Sequence, residues 1–173
     1  LDAKRSDLNV KNEMDLWNCN ICCLSMNKEN YMKEQLLHYI WQYKLFNTSE
    51  LKTTVGNELQ IVDFGKYNTD GGPDFWNARI KIDDVILAGN IELHVYASDW
   101  KQHGHQEDRK YDNVILHVVY FNDAPLPHLP TLELNGRIPV ILLDRYEAMM
   151  QSQHTLICGN SINSVDDFVL EHW

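Results

Sequence analysis

The chain has 173 residues, 44% of them hydrophobic and 23% charged, which suits one domain with a real core and excludes a disordered chain. Lys+Arg number 15 against 25 Asp+Glu, so the formal charge is −10 and the pI is near 5.1. That balance excludes a protein that coats nucleic acid through its global field, though not one with a local phosphate-binding groove.

No apolar run approaches the roughly 18–20 residues that span a bilayer, and the N-terminus lacks a signal-peptide pattern. Four cysteines at 19, 22, 23 and 158 make a poor disulfide framework, so a reducing, cytoplasmic setting is expected. Residues 1–31 are polar, Asn-rich and without periodicity, and read as a poorly ordered extension. Within them Cys19, Cys22 and Cys23 are either half of a zinc site or incidental thiols. The lack of a second Cys/His pair at finger spacing favours the thiols. The first residue is Leu1 rather than Met, which reads as a fragment or as an uncertain start.

A helix is predicted over 31–46 from the spacing of Leu36, Leu37, Ile40, Trp41 and Tyr43. A turn or short helix is expected from Ser49. Leu59–Phe64 reads as a strand, Lys66–Pro73 as a loop, and Phe75–Ile82 as a strand closed by an Asp83-Asp84 turn. Val85–Val95 is the next strand, and Gly89 within it suggests a bulge or a close backbone approach. Residues 96–112 are polar, with a helical turn. Val114–Tyr120 is a near-continuous apolar run and reads as a buried strand. After a loop holding Pro125, Pro127 and Pro130, a last strand is expected over 138–143 and a helix over 145–153. This order predicts an α/β (α+β) fold around a mixed central sheet flanked by helices.

Asp74 stands at the mouth of one strand, and Glu92 and His94 near the end of the next. Alternation puts Ile91, Leu93 and Val95 on the core face and Glu92 with His94 on the other. A two-residue turn makes paired positions sum to 167, which sets Asp74 opposite Leu93. A one-residue bulge at Gly89 changes the sum to 168 and sets Asp74 opposite His94, on the side of Glu92. Two converging carboxylates make an oxygen-rich site for Mg or Mn, and a divalent ion there assists water attack on a phosphodiester. The bland alternative has Asp74 capping a turn and Glu92 solvated.

A second polar cluster spans 98–112 and includes Trp100, Lys101, His103, His105, Asp108, Arg109 and Lys110. His103 and His105 are candidates for metal, phosphate or proton transfer. Lys101, Arg109 and Lys110 form a local positive island. Trp100 either stacks on a base or covers the sheet edge, and His117 reads as a hydrogen-bonded core histidine.

The stretches Gly72–Ile80, Ala88–His94, Ser98–Trp100, His103–His105 and Tyr111–Val119 resemble an uncharacterised bacterial family, domain of unknown function 2851. The resemblance runs from about Met32 to near Cys158. It implies that residues 32–173 are the N-terminal part of a longer protein, truncated at the C-terminus, with Met32 a plausible natural start. A more distant similarity is to the PD-(D/E)XK nuclease-like superfamily. It implies a restriction-endonuclease-like fold, with Asp74 and Glu92 as metal ligands. His94 stands where that superfamily has Lys.

Three functions are therefore carried forward. In the first, a metal-dependent nuclease-like hydrolase uses Asp74, Glu92 and His94 as catalytic residues and Mg or Mn as cofactor. Trp100, Lys101, His103 and His105 bind substrate, and nucleic acid enters as substrate only. In the second, the domain is an inactive binding scaffold, as the charge of −10 and the missing Lys suggest. In the third, His94, His103, His105 and Asp108 form a transition-metal site for another hydrolysis.

Overall fold

The computed structural model describes residues 32–151. Cys19, Cys22, Cys23 and Cys158, the chain start and the expected end of the last helix all lie outside the described residues.

The first helix, α1 (Glu34–Gln42), is shorter than predicted. It closes in a Schellman motif: Lys44 is left-handed (φ 56°), its N–H reaches Trp41 O at 3.1 Å, and Leu45 N–H reaches Ile40 O at 2.9 Å. Packing accounts for the early stop. The chain turns back so that Phe46 stacks on Trp41, 5.5 Å between ring centroids, and Trp41 Nε1 donates to Phe64 O. Leu37, Ile40 and Trp41 are fully buried. A turn, not a helix, follows at Ser49, and Arg137 donates to the carbonyls of Asn47, Ser49 and Glu50.

The strands are β1 (Leu59–Asp63), β2 (Lys66–Tyr67), β3 (Phe75–Ile82), β4 (Val85–Tyr96), β5 (Val114–Phe121) and β6 (Thr131–Glu133). They form one mixed sheet in the order β1-β3-β4-β5-β6, and β2 also pairs with β3. The pairs β1–β3 and β3–β4 are antiparallel, while β4–β5 and β5–β6 are parallel. The crossover from β4 to β5 carries α2 (Asp99–Gln102) and two 3-10 turns, His105–Glu107 and Arg109–Tyr111. A final helix, α3, spans Val140–Gln151. The α+β class and mixed sheet predicted above are thus present. Among the described residues no helix is long and apolar enough to cross a membrane.

The C-terminal end corrects two expectations. Residues 138–143 are not a strand, because α3 begins at Val140. The run Val140-Ile141-Leu142-Leu143 has strand composition, but Pro139 has no N–H for a ladder and suits a helix start. The last strand is instead Thr131–Glu133, just past Pro130, and it buries Leu132 completely.

The β3–β4 register positions the site. Pairs from Ile82↔Val85 to Ala78↔Gly89 sum to 167, as the Asp83-Asp84 turn requires, but Phe75↔Ile91 sums to 166. Trp76 and Asn77 together oppose the single residue Asn90. The bulge therefore lies in β3, at left-handed Asn77 (φ 57°), not at Gly89. Its direction brings Asp74 level with Glu92 rather than with His94, which corrects the expected pairing. Gly89 marks a close approach instead: a Cβ there would lie 2.5 Å from Asn113 O and from Ile115 Cγ2.

Candidate metal centre

β4 is covered on both faces. Ile91 and Leu93 are fully buried, and Glu92 and His94, on the other side, are only 4% and 1% exposed. Burying two such groups demands polar partners, and the β4–β5 crossover supplies them. Gly104, left-handed at φ 73°, separates His103 from His105 and turns the chain between them.

Three imidazoles converge on one point. His94 Nε2 lies 3.1 Å from His103 Nδ1 and 3.2 Å from His105 Nε2. Glu92 Oε1 is 3.3 Å from His105 Nε2 and 3.7 Å from His94 Nε2. A proton on His94 Nε2 can serve one of its two nitrogen neighbours, not both. A cation at the centre serves all three. Zn–N bonds of about 2.0–2.1 Å at a tetrahedral angle set nitrogens roughly 3.3 Å apart, close to the observed spacing. The ligand atoms of His94, His103 and His105 form a group that could hold a metal ion.

The surroundings fix these rings. His94 Nδ1 is 2.8 Å from Nε2 of His117, which is fully buried. When His94 Nδ1–H donates to His117, His94 Nε2 is left with a free lone pair toward the centre. His117 Nδ1 is buried with no hydrogen-bond partner among the described residues. His105 stacks on Tyr111 at 3.8 Å, and Trp100 packs edge-on or tilted against His94, His105 and His117.

Burial sets the charge state. Desolvation, reinforced by the neighbouring imidazoles, pushes His94 down to about 2 and His117 down to about 3. His105 is lowered chiefly by desolvation, and the Asp74 and Asp108 carboxylates oppose the shift. Desolvation pushes Glu92 up to about 9, with the Asp74 carboxylate adding to the shift and the Asp74 N–H opposing it. His94, His105 and His117 are thus held neutral, the form of imidazole that ligates metal. Glu92 is a carboxyl whose ionised form a nearby cation would stabilise.

Asp74 joins this group from the side. Its N–H donates to Glu92 Oε2 at 3.1 Å, and its Oδ2 accepts from Leu93 N–H at 2.9 Å. Asn68 clamps the preceding loop, with N–H on Asp74 O and Nδ2 on Pro73 O. Asp74 Oδ2 also lies 3.1 Å from His38 Nε2.

Of the residues singled out in the sequence, the structure gathers Asp74, Glu92, His94, His103 and His105. Trp100 is buried as a wall behind the histidines, and Lys101 is exposed. Asp108, expected as a fourth ligand, instead accepts from Lys110 N–H and caps a 3-10 turn. Its place beside the imidazoles is taken by Glu92. Glu34 and His38 were not anticipated. Their i, i+4 spacing on α1 was the signal available.

A model of the family described as protein of unknown function (DUF2851) matches residues 34–173. The chain belongs to this family. The match covers all the elements above, including the loop that carries His103 and His105. No curated protein and no solved structure matches the chain.

Proposed function

We propose that this DUF2851 domain is a divalent-metal-dependent hydrolase whose ion sits among His94, His103 and His105. Phosphodiesters are its substrate class. The observation that carries the reading is the approach of His103 Nδ1 and His105 Nε2 to within 3.2 Å of His94 Nε2. Imidazole-rich ligation favours Zn, Mn or Fe over Mg, which leaves Mg the weaker candidate. The phosphodiester assignment is supported by Asp74, just ahead of β3, lying beside Glu92 on β4 and by the nuclease-like resemblance.

A bound divalent ion would supply Lewis-acid stabilisation of charge on a substrate oxygen and acidify water. With a cation bound beside it Glu92 would be ionised, and its Oε1 would then accept the proton of the attacking water, while Asp74 N–H holds Oε2 and so orients the carboxylate. His94 acts as a ligand rather than as a base, because burial disfavours its protonated form and so makes it a weak proton acceptor. His103 is exposed, so the centre opens to solvent on that side and Lys101 on α2 meets the phosphate there. Trp100 excludes water from behind the rings.

A second reading, a metal-bound scaffold without chemistry, is favoured by the near-complete burial of Glu92 and His94 and by the net charge of −10. One experiment separates the two. The metal-stripped full chain is reloaded with Zn, Mn or Mg and assayed on DNA, RNA and a chromogenic phosphodiester. Cleavage should require the transition ion. Glu92→Gln should retain the metal and lose at least about 100-fold in rate, and His103→Ala should lose the metal. Equal cleavage by wild type and Glu92→Gln would remove Glu92 as the base, and metal uptake without cleavage of any substrate would leave the scaffold reading standing.

A further inference from the structure

Beside the imidazole centre lies a second group of a different chemistry. Ligand atoms of Glu34 and His38 from α1 and of Asp74 from the start of β3 lie within 4.8 Å of one another. His38 Nε2 is a buried atom that makes no hydrogen bond among the described residues, although Asp74 Oδ2 is only 3.1 Å away. A nitrogen and a carboxylate oxygen at that distance, yet not aligned as donor and acceptor, have the spacing of two ligands on one ion. Bonds of about 2.0–2.2 Å on a divalent ion place neighbouring ligand atoms roughly 3 Å apart. The ion pairs among the described residues give neither Glu34 nor Asp74 a Lys or Arg. Two carboxylates that close repel each other unless a cation lies between them.

We propose that Glu34, His38 and Asp74 bind a second divalent cation next to the first, so that the chain holds a pair of unlike metal sites. The Asp74 N–H to Glu92 Oε2 bond links the two. The pair predicted from the sequence to share one ion is divided between them, Asp74 facing the second site and Glu92 the first. The second site offers two carboxylates and one imidazole, and so takes a harder ion such as Mn. The first is nitrogen-rich and takes Zn. Two adjacent cations are suited to a substrate carrying a bridging anionic group, which is how the second site deepens the phosphodiester reading it rests on.

The test is metal stoichiometry in the full chain, by equilibrium dialysis with elemental analysis and by the spin signal of bound Mn. Wild type should bind two equivalents. Glu34→Gln should bind one, retaining the ion that His103→Ala loses, and His103→Ala should show the reverse. Glu34 sits in the first turn of α1 and is only half-buried, so its substitution is expected to fold. His38→Asn, checked by circular dichroism, gives a second variant of the same site. One equivalent, unchanged in Glu34→Gln and His38→Asn and lost in His103→Ala, overturns the second site and leaves the proposed function intact. One equivalent lost in Glu34→Gln and kept in His103→Ala supports the second site and removes the ligand set of the proposed function. No bound metal overturns both.

Discussion

His94 and Glu92 are neighbours held in opposite senses by the same cause. Burial keeps the imidazole neutral far below its ordinary 6.5 and the carboxyl neutral far above its ordinary 4.5. The pH dependence of the metal-free protein follows. Below about pH 6.5 the unfolded chain protonates His94 and His117 while the folded chain does not, so stability falls as pH drops. From about pH 4.5 to 9 the unfolded chain ionises Glu92 while the folded chain does not, so this residue lowers stability as pH rises. Between 4.5 and 6.5 these imidazoles, with His105 lowered in the same sense, outweigh the carboxyl, and above 6.5 the carboxyl dominates. Urea midpoints of the stripped protein should therefore peak near pH 6.5. A midpoint that climbs steadily from pH 6.5 to 9 would contradict a buried, neutral Glu92.

The bulge in β3 sets where Asp74 stands. It depends on Asn77 adopting a left-handed backbone, which Asn tolerates and a β-branched residue does not. Asn77→Val should cost about 1–2 kcal/mol and weaken metal binding by pulling Asp74 out of level with Glu92, whereas Asn77→Gly should keep the affinity. Isothermal titration of the two variants checks this, and equal affinities in Asn77→Val and wild type would disconnect the bulge from the site. Alternation along β4 put Glu92 and His94 on one side, and their mutual contact agrees with it. The bulge was legible as a need but not as a place. Gly89 drew the expectation because glycine is the usual mark of an irregular strand, yet its missing Cβ serves the passing β5 backbone.

At the scale of the molecule, the charge of −10 takes on a local meaning. Glu34, Asp74 and Glu92 are gathered at one end of β3 and β4 beside the imidazoles, so the fold concentrates acid where a cation would offset it. A ligand that binds the native state alone stabilises it by mass action, roughly 2.7 kcal/mol at a concentration 100 times its Kd. For a chain of this size that is a rise in Tm on the order of 5–10 °C. Scanning calorimetry with and without Zn should show it in wild type and not in His103→Ala, and an unchanged wild-type Tm would mean that the native fold holds no cation at the imidazoles.

Local rules acting within a few residues were enough for the helix at Leu36–Trp41, the strands at Leu59 and Val114, the Asp83-Asp84 hairpin and the candidate status of Asp74, Glu92, His94, His103 and His105. Periodicity, turn chemistry and residue type are all short-range. Three things required the tertiary structure. The strand expected at 138–143 became a helix, because Thr131–Glu133 already fills the sheet position beside β5. The fourth group beside the imidazoles became Glu92 in place of Asp108, because a strand register, not loop spacing, fixes which carboxyl faces them. Glu34 and His38 joined Asp74, because α1 and β3 meet only in space. Each depends on contacts between segments distant along the chain, and no local pattern records which distant segment will be the neighbour.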